Sequence, residues 1–267
     1  MTMADPHAPR RRFLRGATCA VLLPLLALVA GCELVSPTVP SPPLVVVSDL
    51  DNMPFAGVDD DGTPIGRDVE MMEAIARHMG RPIEWKRQAF ETLLPSVQAG
   101  LVDVACATLG VTPERRTKVA FSAPYFETVI TVVVRVGEGE PRSWADMDGR
   151  RIAAGIGTTS ERAVLRVLPR AVHVFENKQD LSSAERLLVG DVDGVAMDGP
   201  TADATIAESA GSLTQLDVPL TSERYALAVR PDDAELLEAI EAGLAATRRS
   251  GELGELDQRW AVHSADR

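Results

Sequence analysis

A chain of 267 residues, 45% apolar and 25% charged, has the composition of a folded globular protein with a sizeable core. Collagen-like, coiled-coil and largely disordered classes are excluded. The net charge of -12, with no Lys/Arg cluster beyond the extreme N-terminus, excludes a nucleic-acid partner, which would demand a basic face to displace counterions.

The chain opens as an export signal. Arg10-Arg11-Arg12 precede Phe13, Leu14 and Arg15, and an apolar run from Ala17 to Ala30 follows. The run is short for a membrane span and contains Pro24. The arginines before Phe13-Leu14 resemble a twin-arginine signal, which is read by a receptor. Val29-Ala30-Gly31-Cys32 resembles the bacterial lipobox. That resemblance implies cleavage after residue 31, acylation of Cys32 and an exported lipoprotein, anchored to the outer face of the cytoplasmic membrane or periplasmic. An uncleaved anchor helix is the alternative. Cys19 then leaves with the signal, and Cys106, in the apolar run Val102 to Leu109, remains as a small core residue. No Cys/His spacing suits a metal, and no cofactor is expected. Residues 32–43, rich in proline, read as a semi-rigid tether.

Leu44 to Val47 is a buried first strand. Asp68 to His78 has helical spacing, with Asp68 as its cap and Gly80-Arg81-Pro82 as its stop. Ile83 to Lys86 is a strand, Thr92 to Ala99 a short helix closed by Gly100, and Asp103 to Leu109 a third strand. Thr112-Pro113-Glu114 supplies the cap, first-turn proline and early acid of another helix. The grammar then repeats. Arg151 to Gly155, Val172 to Phe175 and Val192 to Met197 are strands, and Ser160 to Val167 and Leu181 to Val189 are helices. Tyr225 to Val229 is one more strand, followed by helices over Asp233 to Thr247 and Leu253 to Trp260. This alternation predicts an α/β fold with largely parallel sheets. Two such units facing each other make a cleft at the strands' C-terminal ends, where small molecules bind.

Several motifs in register carry a resemblance. They are Met53-Pro54-Phe55 with Gly66-Arg67-Asp68-Val69-Glu70, Gly100 to Val104, Val111 to Arg116, Phe121 to Phe126, Gly157-Thr158-Thr159, and Gly190 to Asp193 leading to Ala196-Met197-Asp198. Over nearly all of residues 44–262 the chain resembles the family 3 extracellular solute-binding proteins, amino-acid receptors of ABC importers. The resemblance implies a two-lobed, type II periplasmic-binding-protein-like clamshell. Lobe 1 would comprise residues 44–129 and 226–267, and lobe 2 residues 130–225. Crossing strands would lie near Thr128 to Arg135 and Glu223 to Val229. It further implies a monomer that binds a free, polar amino acid and hands it to an importer permease, without enzymatic activity.

The resemblance also assigns roles. Arg115 matches the carboxylate clamp, where a planar guanidinium suits both oxygens. Asp198 matches the ammonium ligand; a helix N-cap is the plainer reading. Thr158 and Thr159 precede a helix and offer N–H groups and hydroxyls to a carboxylate, while Thr159 or Ser160 also suits simple capping. Thr108 matches a contact from lobe 1, Phe90 an aromatic wall, and Asp49 a position touching polar or basic side chains. Asp193 reads as structural. Asn52 stands where an aromatic is usual, and Gly110 replaces a Ser or Thr, so side-chain selectivity is not carried over.

Three other readings compete. The fold also resembles that of periplasmic cyclohexadienyl dehydratases, which need a general acid in the cleft. The candidates are Glu127, Asp49 and His173. A sensor or peptidoglycan-lyase module, and a ligand other than an amino acid, are the remaining alternatives.

Overall fold

The computed structural model describes residues 41–137, 139–175 and 182–264. The export signal, Cys32, most of the tether and Leu181 lie outside the described residues.

The first lobe begins with β1 (Leu44–Ser48), a two-stranded hairpin of β2 (Gly57–Val58) and β3 (Pro64–Ile65), then α1 (Arg67–Met79), β4 (Ile83–Arg87) and α2 (Phe90–Gln98). It continues through β5 (Val104–Ala105), α3 (Pro113–Arg116) and β6 (Ala120–Phe121). The long β7 (Phe126–Arg135) carries the chain into the second lobe. There a 3-10 turn (Trp144–Met147) precedes β8 (Arg151–Ala154), α4 (Thr159–Val167), β9 (Val172–Phe175) and α5 (Ser183–Leu188). Next come β10 (Gly194–Asp198), α6 (Gly199–Glu208) and β11 (Leu213–Gln215). β12 (Thr221–Tyr225) returns the chain to the first lobe, which closes with β13 (Ala228–Val229), α7 (Ala234–Ser250) and α8 (Glu252–Arg259).

The first sheet has the order β4-β1-β5-β13-β6, and the second β11-β7-β10-β8-β9. β1 is parallel to β4 and β5, and β8 to β9 and β10, as the repeated strand–helix grammar requires. Both sheets are nonetheless mixed, because β13, β7 and β11 run antiparallel to their neighbours. The crossings pair with each other, Thr221 opposite Ile130 and Tyr225 opposite Phe126. Burial explains why these strands hold two bodies together. Phe126 and Tyr225 stack at 6.2 Å within the first lobe's core, with Phe55 edge-on to both, whereas Ile130, Val132 and Val134 enter the core of the second.

Local departures from the sequence expectations have tertiary causes. The strand expected over Asp103 to Leu109 is only two residues long, and beyond it Thr108, which lines the cleft cavity, takes a left-handed conformation, φ 45°. Asp68 does not cap α1. The helix starts one residue earlier, Gly66 is its N-cap, and Asp68 is fully buried beside Arg67. The Arg67 guanidinium spans Asp68 Oδ1 at 3.0 Å and Asp257 Oδ1 at 2.9 Å, and the Tyr125 hydroxyl donates to the other Asp68 oxygen. Cys106 is a buried free cysteine, and its thiol is pushed well up by burial and the nearby Asp68 charge.

α1 and α7 pack closely because Gly243 has no side chain. A β-carbon there would stand 2.9 Å from Ile75 Cγ2 and 3.1 Å from the Ile75 carbonyl oxygen. The methyl can rotate away but the carbonyl cannot, so Gly243→Ala will cost about 1–3 kcal/mol. Urea unfolding will show this as a lower midpoint at unchanged slope. A midpoint equal to wild type would refute the close-approach argument.

Candidate functional site

The loops after β1, β5, β8 and β10 converge between the lobes. β10 ends at Asp198, which is also the N-cap of α6, its Oδ1 accepting from Thr201 N at 3.1 Å. The plain capping role and a cleft-facing position are therefore compatible. Asp198 is 7% exposed, and burial raises its carboxyl above the ordinary carboxylate range despite these hydrogen bonds.

A cavity of about 110 Å³ occupies this junction. Seven of the residues singled out from the sequence line it: Asp49, Asn52, Phe90, Thr108, Thr158, Thr159 and Asp198. Gly110 and Arg115 do not. Arg115 lines a smaller neighbouring cavity of about 80 Å³, with Phe90 common to both and its ring 5.4 Å from the guanidinium carbon. Its Nη1 donates to Gly110 O at 2.8 Å and its Nη2 to Gly157 O at 3.0 Å. Burial, then the charge of Arg162, lowers its pKa to about 10, so it stays cationic at neutral pH.

Contacts across the cleft join the lobes. Asn52 donates through Nδ2 to Thr108 Oγ1 at 3.0 Å and, more weakly, to Asp198 Oδ2 at 3.4 Å, while its Oδ1 accepts from the Thr201 hydroxyl at 2.9 Å. Arg115 reaches Gly157, and Arg162 pairs with Glu114 at 2.9 Å near the surface. The amide in place of an aromatic thus becomes a clasp on the Asp198 pole.

Capping at the start of α4 falls to Thr158 rather than to Thr159 or Ser160. The Thr158 hydroxyl accepts from Glu161 N at 3.1 Å and donates to Gly155 O at 2.7 Å. Thr159 instead hydrogen-bonds the Glu223 carboxylate, which burial raises above its ordinary range. Asp193 is structural, as read from sequence: it accepts from Arg151 N at 2.9 Å and pairs with Arg135 and Arg151.

Sequence reasoning missed Ile130 and Tyr225, which line the cavity from the crossing strands, and Ser160 from α4. It also missed Glu223 and Thr201. Alternation along β12 puts Thr221, Glu223 and Tyr225 on one face, a signal that was present. Thr201 was legible from Asp198-Gly199-Pro200, a capping residue followed by an early helix proline.

Of the three general-acid candidates only Asp49 lines this cavity. Glu127 borders a separate one of about 360 Å³ with Arg248 and Ser264, and His173 sits on β9 beside Ile152. Among the described residues no His/Cys/Asp/Glu group is arranged to hold a metal, and no helix is long and apolar enough to cross a membrane.

Comparison with known proteins yields a consistent set. The sequence model of the bacterial extracellular solute-binding proteins, family 3, matches residues 44–263. The L-cystine-binding protein TcyJ of Escherichia coli (strain K12) is 27% identical over 208 residues, 78% of each chain. A mutant of ArgBP from T. maritima is 33% identical with a TM-score of 0.75, covering 81% of this chain and 94% of that one. The amino acid ABC transporter substrate-binding protein AbpA from Streptococcus pneumoniae, bound to L-arginine, is 28% identical with a TM-score of 0.74 over 81% and 93%.

Proposed function

The chain belongs to the bacterial extracellular solute-binding proteins, family 3, and from that premise we propose that it captures a free, polar amino acid between its lobes and passes it to an ABC importer. The observation carrying this reading is Asp198, a buried carboxylate at the cleft end of β10. A buried anion without a cationic partner is costly, and a ligand ammonium supplies that partner. The Thr108 hydroxyl lies on the same side, bridged to Asp198 by Asn52. The ligand carboxylate falls to the start of α4, where Thr158 and Thr159 present backbone N–H groups, with Arg115 as the cation behind Phe90. Asp49 and Asn52 give the side-chain end polar walls. Attachment through a lipid on Cys32 and a proline-rich tether completes the proposal, holding the receptor at the outer face of the membrane.

A thermal-shift screen of the twenty amino acids on the purified chain tests it. A cognate ligand at a hundredfold its Kd will stabilise by about 2.7 kcal/mol. A flat response across all twenty would sink the reading.

A further inference from the structure

Size is a property of this cavity that its walls fix. Ile130 and Ala196 line it from the core of the second lobe and Tyr225 from that of the first, and all three are buried. Close-packed walls of this kind do not recede for a larger guest. The lobes also meet at several points around the cavity. Asn52 reaches from the loop after β1 to the second lobe, donating to Asp198 Oδ2 at 3.4 Å and accepting from the Thr201 hydroxyl at 2.9 Å, while its bond to Thr108 Oγ1 at 3.0 Å ties it to its own lobe. Gly110 stands against Thr159, where a first side-chain carbon would lie 2.8 Å from Cγ2. Arg115 Nη2 donates across to Gly157 O at 3.0 Å. These contacts hold the lobes at a separation that leaves about 110 Å³. For scale, a cavity of about 150 Å³ binds benzene. An amino acid held by hydrogen bonds packs closer than apolar atoms do, at about 2.9 Å against about 3.5–4.0 Å. The space therefore suits glycine, alanine or serine and is too small for arginine, histidine or cystine.

We propose that the site selects amino acids with side chains no larger than that of serine, and that Asn52 sets this limit. The proposal rests on the reading of this cleft as the amino-acid site. A longer side chain needs the lobes farther apart, and parting them breaks the Asn52 bonds to Asp198 and Thr201. The contacts at Gly110 and Gly157 involve backbone, whereas Asn52 holds the second lobe through its side chain alone. Asn52 is therefore the point at which the limit can be lifted by a single substitution. Serine is the polar member of the set.

A homologous series provides the test: glycine, alanine, 2-aminobutyrate, norvaline and norleucine keep the same α-groups while the side chain grows by single carbons. Isothermal titration calorimetry would be run on the purified full chain, wild type and Asn52→Ala, with serine and arginine beside the series. In an open groove each added methylene strengthens binding. Here the affinity is expected to peak at alanine or 2-aminobutyrate and to fall about tenfold or more by norvaline, with serine within about tenfold of alanine. N52A removes the clasp and adds space, so norvaline is expected to gain about tenfold or more relative to alanine. That ratio is insensitive to a uniform weakening of binding, and a cooperative melting transition of ligand-free N52A verifies its fold. The wild-type series decides the size limit whatever the variant does. Affinity that climbs through norleucine would mean that the side chain leaves through the mouth of the cleft. That result, or arginine bound more tightly than alanine and serine, would overturn the size limit and leave the amino-acid reading standing. A ratio that N52A moves by less than about tenfold would overturn Asn52 as the residue that sets the limit. Binding of no amino acid at all would overturn both readings.

Discussion

Replacing Asp198 by Asn will abolish the ligand-induced thermal shift while leaving the ligand-free protein at least as stable as wild type. Asn is as good an N-cap as Asp, so the bond from Thr201 N to the side chain survives and α6 keeps its start. The losses are the long 3.4 Å bond from Asn52 Nδ2, which then faces an amide nitrogen, and above all the charge. A ligand ammonium facing a neutral amide in a buried site forfeits about 3–5 kcal/mol, more than a hundredfold in affinity. The ligand-free protein is relieved of a buried anion whose proton affinity is raised by desolvation.

The same carboxyl makes the two properties respond oppositely to pH. Its folded pKa lies above the unfolded value, so the folded state takes up the proton first as pH falls. Its stability contribution is therefore fully present below the unfolded pKa and lost as pH rises through the folded one. Ligand affinity runs the other way, since only the ionised form pairs with an ammonium. Acidification through this range will weaken binding in wild type while this group's share of ligand-free stability grows. Asp198→Asn, neutral at every pH, will remove this pH dependence. A variant that still shows the ligand-induced shift would refute Asp198 as the ammonium partner.

Replacing Arg67 by Met will lower stability by about 3–5 kcal/mol. The Arg67 side chain is fully buried, contacts Asp68 and Asp257, and lies over the Tyr125 and Phe126 rings at 5.3 and 5.2 Å. Methionine fills much of its volume but leaves two buried carboxylates without their guanidinium. Asp68 already titrates above the ordinary range through burial, with Arg67 the main opposing influence. Without Arg67 it protonates more readily, so the deficit will be greatest near neutral pH and will narrow as pH falls. Urea unfolding at neutral and mildly acidic pH measures both effects. A loss under 1 kcal/mol at neutral pH would mean the ion cluster does not hold α1 to α8.

The parts of this protein legible in the sequence are those governed by neighbours along the chain. Apolar runs, helical spacing and capping signals are local. They placed β1, β4, α3, α4 and α7 within a few residues, and they placed Asp198 at the end of a strand and Thr158 at a helix start. The tertiary structure decided which partner each group meets. Asp68 has the sequence of a cap, yet becomes half of a buried ion pair because α8, nearly two hundred residues later, brings Asp257 to Arg67. Arg115 sits on its helix as expected, but packing against Phe90 and Gly157 turns its guanidinium away from the main cavity. Glu223 joins the site only because β12 pairs with β7 beside Gly110. Local spacing fixes which face of an element is apolar or polar; what covers that face depends on long-range pairing and burial, which no short window of residues contains.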